Sequence, residues 1–181
     1  MNYYNEIKNK LIDNEVYKRV KDYSKNRNDL NTYYEVGKLL IEAQGGEERA
    51  KYGDRLIKEY SERLYNELGK KYDITTLKRY RQFYLKIEKG AALRHQLSWT
   101  HYRELLTLDN INELNYYVEI TIEQNLSYRQ LREKIKTKEY QRLDNSTKLK
   151  LINKEKLDIK DNIKNPIVIH NKNNLDKENI S

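Results

Sequence analysis

Apolar residues recur every three or four positions through most of the chain, which is the spacing of amphipathic α-helices. Three segments in the first part of the chain follow this spacing and predict helices over residues 3–23, about 29–44 and 54–68. A fourth segment, residues 75–87, carries its apolar residues on one stripe: Leu77, Tyr80, Phe83, Tyr84 and Ile87. The single proline among 181 residues favours long helices over strands and turns. The pattern therefore predicts an all-α fold.

Short polar or glycine-containing stretches divide these helices. Ser24–Asn28 predicts a break before the second helix, and Gly45–Gly46 predicts its end. Gly37 lies inside that helix, where glycine costs about 1 kcal/mol relative to alanine. We therefore expect Gly37 to mark a place where two helices pack closely.

A glycine and a polar turn separate the third helix from the fourth. Gly69 ends the third helix, because glycine tolerates the left-handed backbone of a helix terminus. Asp73–Thr76 supplies small polar side chains that can cap the next helix. The rest of that helix is basic: Lys78, Arg79, Arg81 and Lys86. This is the outline of a helix-turn-helix, whose second helix enters the DNA major groove. The alternative, which the spacing leaves open, is an ordinary amphipathic helix with a solvated charged face.

The pattern predicts two more core helices after this region. A loop, Glu88–Gln96, precedes a helix that Ser98 caps. Its inward residues are Trp99, Tyr102, Leu105 and Leu106. Asp109 is the predicted cap of the next helix, which ends at Asn125–Leu126.

A second basic helix follows directly. Ser127 and Gln130 have the spacing of a capping box, in which each side chain bonds the backbone N–H of the other residue. The helix that they begin exposes Arg129, Arg132 and Lys136. It is a second candidate for contact with DNA.

The apolar spacing weakens from residue 143 onward. Leu149, Ile152 and Leu157 predict one more helix, and the Asn/Lys-rich residues 162–181 predict a flexible tail. We therefore expect a compact domain over residues 1–142, followed by a weakly helical and then disordered segment over residues 143–181.

Charge and composition narrow the possible partners. The net charge is +8, and the surplus lies mainly in residues 69–142, with 15 Lys/Arg against 9 Asp/Glu, whereas residues 1–68 balance 13 against 13. A basic surplus of this kind suggests a surface that binds a polyanion. The sequence has no transmembrane-length apolar run, no signal peptide and no cysteine. We therefore expect a cytoplasmic protein without disulfides, thiolate zinc sites or a membrane partner.

The residue pattern predicts no catalytic, cofactor-binding or metal site. His95, His101 and His170 are too scattered to form a cluster, and His101 is expected to have a structural or phosphate-contacting role. Arg103–Glu104 could form an ion pair that holds its helix. Six residues are expected to contact DNA: Lys78, Arg79, Arg81, Arg103, Arg129 and Arg132.

Four motifs resemble a known family. They are YYEVGKLLIEAQ, AKYGDRLIKEYSERL, LKRYRQFYL and QLSWTHYRELL, in this order between residues 33 and 106. They resemble the N-terminal helical domain of the YhcG family, bacterial proteins in which this domain precedes a PD-(D/E)XK nuclease domain. The likeness covers about residues 15–142. A weaker likeness in layout, from LSWTHYRELLTL to NLSYRQLREKI, is to the helical DNA-binding domain of ParB-type proteins.

The resemblance implies a DNA-binding module associated with nuclease or restriction systems. The family's nuclease core would begin near the end of this chain, and it needs an Asp and an acidic-x-Lys pattern on strands to hold Mg²⁺. Leu157–Asp158–Ile159–Lys160 imitates that pattern without strand-forming neighbours. We therefore expect a DNA-binding protein that is not itself an enzyme. One alternative is a protein-interaction or homo-oligomerisation module that uses the neutral helices of residues 1–68. The other is a subunit that acts with a separately encoded nuclease.

Overall fold

The computed structural model describes residues 2–20, 25–46, 53–153 and 155. Within these segments the chain forms eight α-helices, two short 3₁₀ helices and no strand, which confirms the predicted all-α fold. The α-helices are α1 (Tyr3–Val20), α2 (Lys25–Ala43), α3 (Asp54–Leu68), α4 (Ile74–Glu88), α5 (Trp99–Leu105), α6 (Ile111–Glu123), α7 (Tyr128–Lys136) and α8 (Asn145–Ile152). The 3₁₀ helices are Lys70–Tyr72 and Tyr140–Arg142. None of the helices in the described segments is both long enough and apolar enough to cross a bilayer.

The chain divides into two compact units, residues 1–132 and residues 133–181, with the boundary inside α7. The predicted division at residue 142 stays a prediction. The predicted flexible tail, residues 162–181, and Tyr52 of the second family motif lie outside the described residues.

Helix α4 is the centre of the first unit. It packs most extensively against α2 and also contacts α3, while α1 packs against α2. A Cβ atom on Gly37 of α2 would lie 2.2 Å from the carbonyl oxygen of Tyr80 and 2.8 Å from Cβ of Tyr84, both on α4. The prediction that Gly37 marks close helix packing is therefore confirmed.

Five aromatic side chains fill the space around α4. Tyr33 of α2 stacks on Tyr80 with ring centroids 4.3 Å apart, and Trp99 of α5 lies within 5.4 Å of both rings and of Phe83. Phe83 also contacts Tyr102 edge to face, at 5.0 Å. Burial raises the pKa of the Tyr80 hydroxyl, as expected for a phenol removed from water. These rings therefore stabilise the contact of α2, α4 and α5.

Two predicted boundaries are wrong. Residues 25–28 were expected to break the chain, but they form the first turn of α2. There Asn28 donates a hydrogen bond to Asn14 of α1, and Asn14 donates one of 3.0 Å to Asp29, so the polar residues find partners on a neighbouring helix. The cap of α6 is Asn110 rather than Asp109, because the Asn110 side chain accepts hydrogen bonds from two backbone N–H groups of the first turn.

In the second unit, residues 133–181, a salt bridge of 2.9 Å joins Lys134 to the buried Glu139. Asp144 caps α8 by accepting a hydrogen bond from the Ser146 backbone N–H. The short helix predicted from Leu149 and Ile152 is therefore confirmed as α8, whereas Leu157 lies outside the described residues.

Candidate nucleic-acid interface

The six cationic residues expected to contact DNA all lie in the first unit, on α4, α5 and α7. The structure gives them different acidic neighbours. Lys78 and Arg81 lie beside Asp54 at the start of α3. Arg132 binds Glu104, and the charges of Arg79 and Arg103 also act on that carboxylate. Arg129 lies against the ring of Tyr128. The basic residues Lys78, Arg79 and Arg81 of α4 therefore belong to two sites.

In the first site the Asp54 carboxylate offsets one of the two positive charges of Lys78 and Arg81. Lys78 Nζ lies 2.7 Å from Asp54 Oδ2, and this hydrogen bond lowers the pKa of Asp54. Arg81 donates a 3.3 Å hydrogen bond to Gln44 Oε1 and lies 3.9 Å from Asp54. Only 19% of the Arg81 side chain is exposed, against 42% for Lys78. Arg81 is half-buried, because Gln44, which follows α2, and the start of α3 cover it.

An adjacent side of α4 is covered by the segment that follows α5. Gln82 Nε2 donates a 2.8 Å hydrogen bond to the carbonyl oxygen of Leu106, and the ammonium group of Lys86 donates to that of Leu108. Every residue from Thr76 to Ile87 is buried or half-buried. The exposed residues lie at the two ends of α4, at Asp73–Thr75 and at Glu88. Helix α4 thus has little free surface to place in a groove.

The second site is built around Glu104 of α5. Arg132 of α7 donates hydrogen bonds to both carboxylate oxygens, 2.9 Å from Nε to Oε2 and 2.7 Å from Nη2 to Oε1, in a bidentate arrangement. These bonds lower the pKa of Glu104, and the positive charges of Arg103 and Arg79 lower it further. The expected partner of Glu104 was Arg103. The ion pair forms instead between two helices and ties α5 to α7.

The exposed face of α7 carries the remaining arginines. Arg129 and Arg132 are exposed, and their guanidinium carbons lie 5.8 and 5.9 Å from the centre of the Tyr128 ring. Arg129 Nε also donates a 3.2 Å hydrogen bond to the Tyr128 hydroxyl. Leu131 is fully buried on the opposite side and anchors the helix. The predicted exposure of these two arginines is confirmed.

The start of α7 is fixed by its predicted capping box. The Ser127 backbone N–H donates a 2.8 Å hydrogen bond to Gln130 Oε1, and the Gln130 backbone N–H donates a 3.4 Å bond to Ser127 Oγ. This reciprocal pair satisfies N–H groups that would otherwise lack partners. The first turn of α7, which presents Arg129, therefore has a defined direction.

His101 connects α5 to the residue that precedes this cap. Its Nδ1 accepts a 3.2 Å hydrogen bond from the Ser98 backbone N–H, and its Nε2 lies 3.0 Å from the Leu126 carbonyl oxygen. Because a carbonyl oxygen only accepts, Nε2 carries the hydrogen. His101 thus has the structural role that was one of the two expected from sequence. It holds α5, with Arg103 and Glu104, beside the start of α7.

Residues 8–142, three quarters of the chain, match the model of the DUF1016 N-terminal domain family. The chain belongs to the DUF1016 N-terminal domain family. This confirms the resemblance to the N-terminal domain of the YhcG family. No curated protein and no solved structure matches the chain.

In this DUF1016 N-terminal domain, the motif QLSWTHYRELL contains helix α5, which carries Glu104 of the second site. Trp99 joins the aromatic core and His101 bridges to Leu126, so the helix is held on two sides. Glu104 on this helix accepts hydrogen bonds from Arg132. The six arginine and lysine residues expected to contact DNA all fall within the matched range. Among the residues that the structure describes, no group of three or more His, Cys, Asp or Glu is placed to hold a metal ion.

Proposed function

We propose that this DUF1016 N-terminal domain binds duplex DNA through the exposed arginines of α5 and α7. The observation that carries the proposal is the arrangement of Arg103, Arg129 and Arg132, three exposed arginines on two helices that the Arg132–Glu104 pair holds together. Guanidinium groups bind phosphate oxygens through paired hydrogen bonds, and most protein–DNA hydrogen bonds go to the phosphate and sugar backbone. The surplus of 15 basic over 9 acidic residues in residues 69–142 favours the same partner.

Helix α7 is the better candidate for approach to the groove. A short turn, residues 124–127, leads into it from α6, and its arginines are exposed. Helix α4 follows a turn in the same way, but α2, α3 and the segment after α5 cover it. We therefore assign α3 and all of α4 except Arg79 to the scaffold. In this proposal Arg129 and Arg132 make the principal contacts and Arg79 and Arg103 add phosphate contacts. Lys78 and Arg81 contribute less, because they lie on the covered helix and only 19% of the Arg81 side chain is exposed.

The chain acts in this proposal as a DNA-binding module and not as the catalyst. The resemblance to the YhcG family suggests that it serves a nuclease or restriction system, in which catalysis belongs to a PD-(D/E)XK domain. A separate nuclease subunit is then the natural partner.

The proposal is tested by fluorescence anisotropy with a labelled duplex and four single variants: Arg79→Ala, Arg103→Ala, Arg129→Ala and Arg132→Ala. Arg94→Ala is the matched control, because Arg94 is also exposed and also pairs with a glutamate, Glu119, at 3.0 Å. We expect Arg129→Ala and Arg132→Ala to weaken binding and Arg94→Ala to leave it nearly unchanged. A phosphate contact weakens binding to all sequences alike, whereas a base contact costs about 1–3 kcal/mol at one base position.

Folding is checked for each variant by circular dichroism, since exposed substitutions usually change stability by no more than about 0.5 kcal/mol. A folded variant with all four arginines replaced by alanine that still binds DNA like the wild type would overturn the proposal. The protein-interaction alternative, with the neutral helices of residues 1–68 as the working surface, would then be favoured.

A further inference from the structure

The Arg132 guanidinium is already occupied by an anion. Two of its nitrogens donate to the two oxygens of Glu104, at 2.9 and 2.7 Å. A phosphate diester has a similar pair of oxygens that can accept hydrogen bonds from the same two nitrogens. Arg132 cannot give these two hydrogen bonds to both anions at once. Any phosphate that binds these two nitrogens must therefore displace the Glu104 carboxylate.

The two partners differ in their freedom to move. The Arg132 side chain is 57% exposed, whereas the Glu104 side chain is 17% exposed. Arg132 can therefore turn toward solvent while Glu104 stays in place. The long arginine side chain also has a second contact near its present position, with its guanidinium carbon 5.9 Å from the Tyr128 ring. Displacement of the pair thus requires movement of an exposed side chain only.

Glu104 would not be left without positive charge after such a change. Arg103 is its neighbour on α5, and the charges of Arg79 and Arg103 also lower the pKa of its carboxyl group. Gln82 fixes the side of α4 that carries Arg79 by its hydrogen bond to the Leu106 carbonyl, two residues after Glu104. The carboxylate therefore still lies near the positive charges of Arg103 and Arg79 when Arg132 leaves.

We infer that Glu104 is an internal competitor for DNA phosphate at Arg132, so that this carboxylate lowers the affinity of the domain for DNA. The inference rests on the proposed function, because it concerns the same surface. It adds a specific role for an acidic residue at the centre of a basic site. Glu104 keeps Arg132 paired in the free protein, and only a phosphate placed well by neighbouring contacts displaces it.

The test compares Glu104→Gln with Glu119→Gln in anisotropy titrations of a short labelled duplex, each over a range of salt concentrations. Both substitutions remove one negative charge, and both remove a carboxylate that pairs with an exposed arginine, so the control accounts for net charge. We expect Glu104→Gln to tighten binding about two- to fivefold, a change typical of an ion pair that is partly open to solvent. It should also steepen the logarithmic salt dependence by about one phosphate contact. Glu119→Gln should change both quantities less.

Several outcomes separate the inference from the proposed function. If Glu104→Gln tightens binding no more than Glu119→Gln, or weakens it, then Glu104 only positions Arg132 and the inference is overturned. The proposed function survives that result if Arg132→Ala still weakens binding. If the wild type binds no duplex at all, the proposed function fails. Glu104→Ala is a second variant that removes the anion, and it provides the same comparison should Glu104→Gln fold poorly.

Discussion

A Cβ atom on Gly37 would lie 2.2 Å from the carbonyl oxygen of Tyr80, so the backbones of α2 and α4 touch at this point. The atom that blocks the way belongs to the backbone of the central helix and cannot rotate aside. The contact also explains why a residue that weakens an isolated helix stands in the middle of α2. The position of α4 in the first unit therefore depends on the absence of a side chain at residue 37.

Gly37→Ala is the first predicted change. The added methyl group must push α2 away from α4, and overpacking of this kind typically costs about 1–3 kcal/mol. We expect the gain in helix propensity from alanine, about 1 kcal/mol, to be too small to offset a backbone clash. Thermal melts followed by circular dichroism measure the difference. Lys38→Ala, at the next and exposed position, is the control and should change stability by no more than about 0.5 kcal/mol.

The helices could be predicted from the sequence because their apolar spacing and caps are local signals. Gly37 could be recognised for the same reason, as a glycine at a position where helices avoid it. The helical state of residues 25–28 could not be predicted in this way, since it depends on the hydrogen bond of Asn28 to Asn14 on another helix. Local propensity favoured a break there, and a tertiary contact reversed it.

Asp73→Ala tests the cap of α4 and its dependence on pH. Asp73 Oδ1 accepts a 2.7 Å hydrogen bond from the Thr76 backbone N–H, and this bond lowers the pKa of Asp73. At neutral pH the loss of such a cap costs about 0.5–2 kcal/mol. Because the folded-state pKa lies below the unfolded value of about 3.9, the ionised carboxylate stabilises the protein above that pH. Its contribution is lost as the pH falls through the lowered folded-state pKa.

Asp73→Asn is the matched variant, since asparagine caps helices about as well and does not titrate. Denaturant unfolding of the wild type and both variants, at neutral pH and below about pH 3, measures the effect. Between neutral pH and the lower pH, the wild type should lose more stability than Asp73→Asn does. A difference that stays constant would show that ionisation of Asp73 does not contribute.

Tyr102→Phe tests how the loop between α4 and α5 is held. The buried Tyr102 hydroxyl accepts a 2.7 Å hydrogen bond from the Arg94 N–H and donates one of 3.0 Å to the Ala92 carbonyl. Burial raises its pKa to about 12, so it remains a donor at neutral pH. Loss of the hydroxyl leaves backbone groups unpaired and should cost about 1–3 kcal/mol in a thermal melt. Tyr65→Phe, at an exposed position, should be nearly neutral, and equal effects would contradict this account.

The candidate site was only partly predictable. Arg129 and Arg132 could be placed on the surface because the capping box of Ser127 and Gln130 and the buried Leu131 fix their helix locally. The partner of Glu104 could not be predicted from the sequence, because Arg132 lies 28 residues away. The covering of Arg81 likewise depends on Gln44, which follows α2 and lies 37 residues away in sequence.

Incubation of the pure protein with plasmid DNA and Mg²⁺ or Mn²⁺ tests the proposal that the chain is a binding module without nuclease activity. We expect no cleavage, because the family's metal site needs an acidic-x-Lys pattern on strands and the described residues form no strand. Cleavage that disappears on substitution of one carboxylate would refute the proposal. Cleavage that persists through such substitutions would point to a contaminating nuclease.

The salt dependence of duplex binding by the wild-type protein tests the central claim most directly. If Arg79, Arg103, Arg129 and Arg132 contact phosphates, the affinity measured by fluorescence anisotropy should fall about a hundredfold between about 50 and about 200 mM salt. The fall arises because each neutralised phosphate releases counterions, with a logarithmic slope of about 0.9 per contact. Binding that does not respond to salt, or the lack of any binding at about 50 mM, would contradict the account.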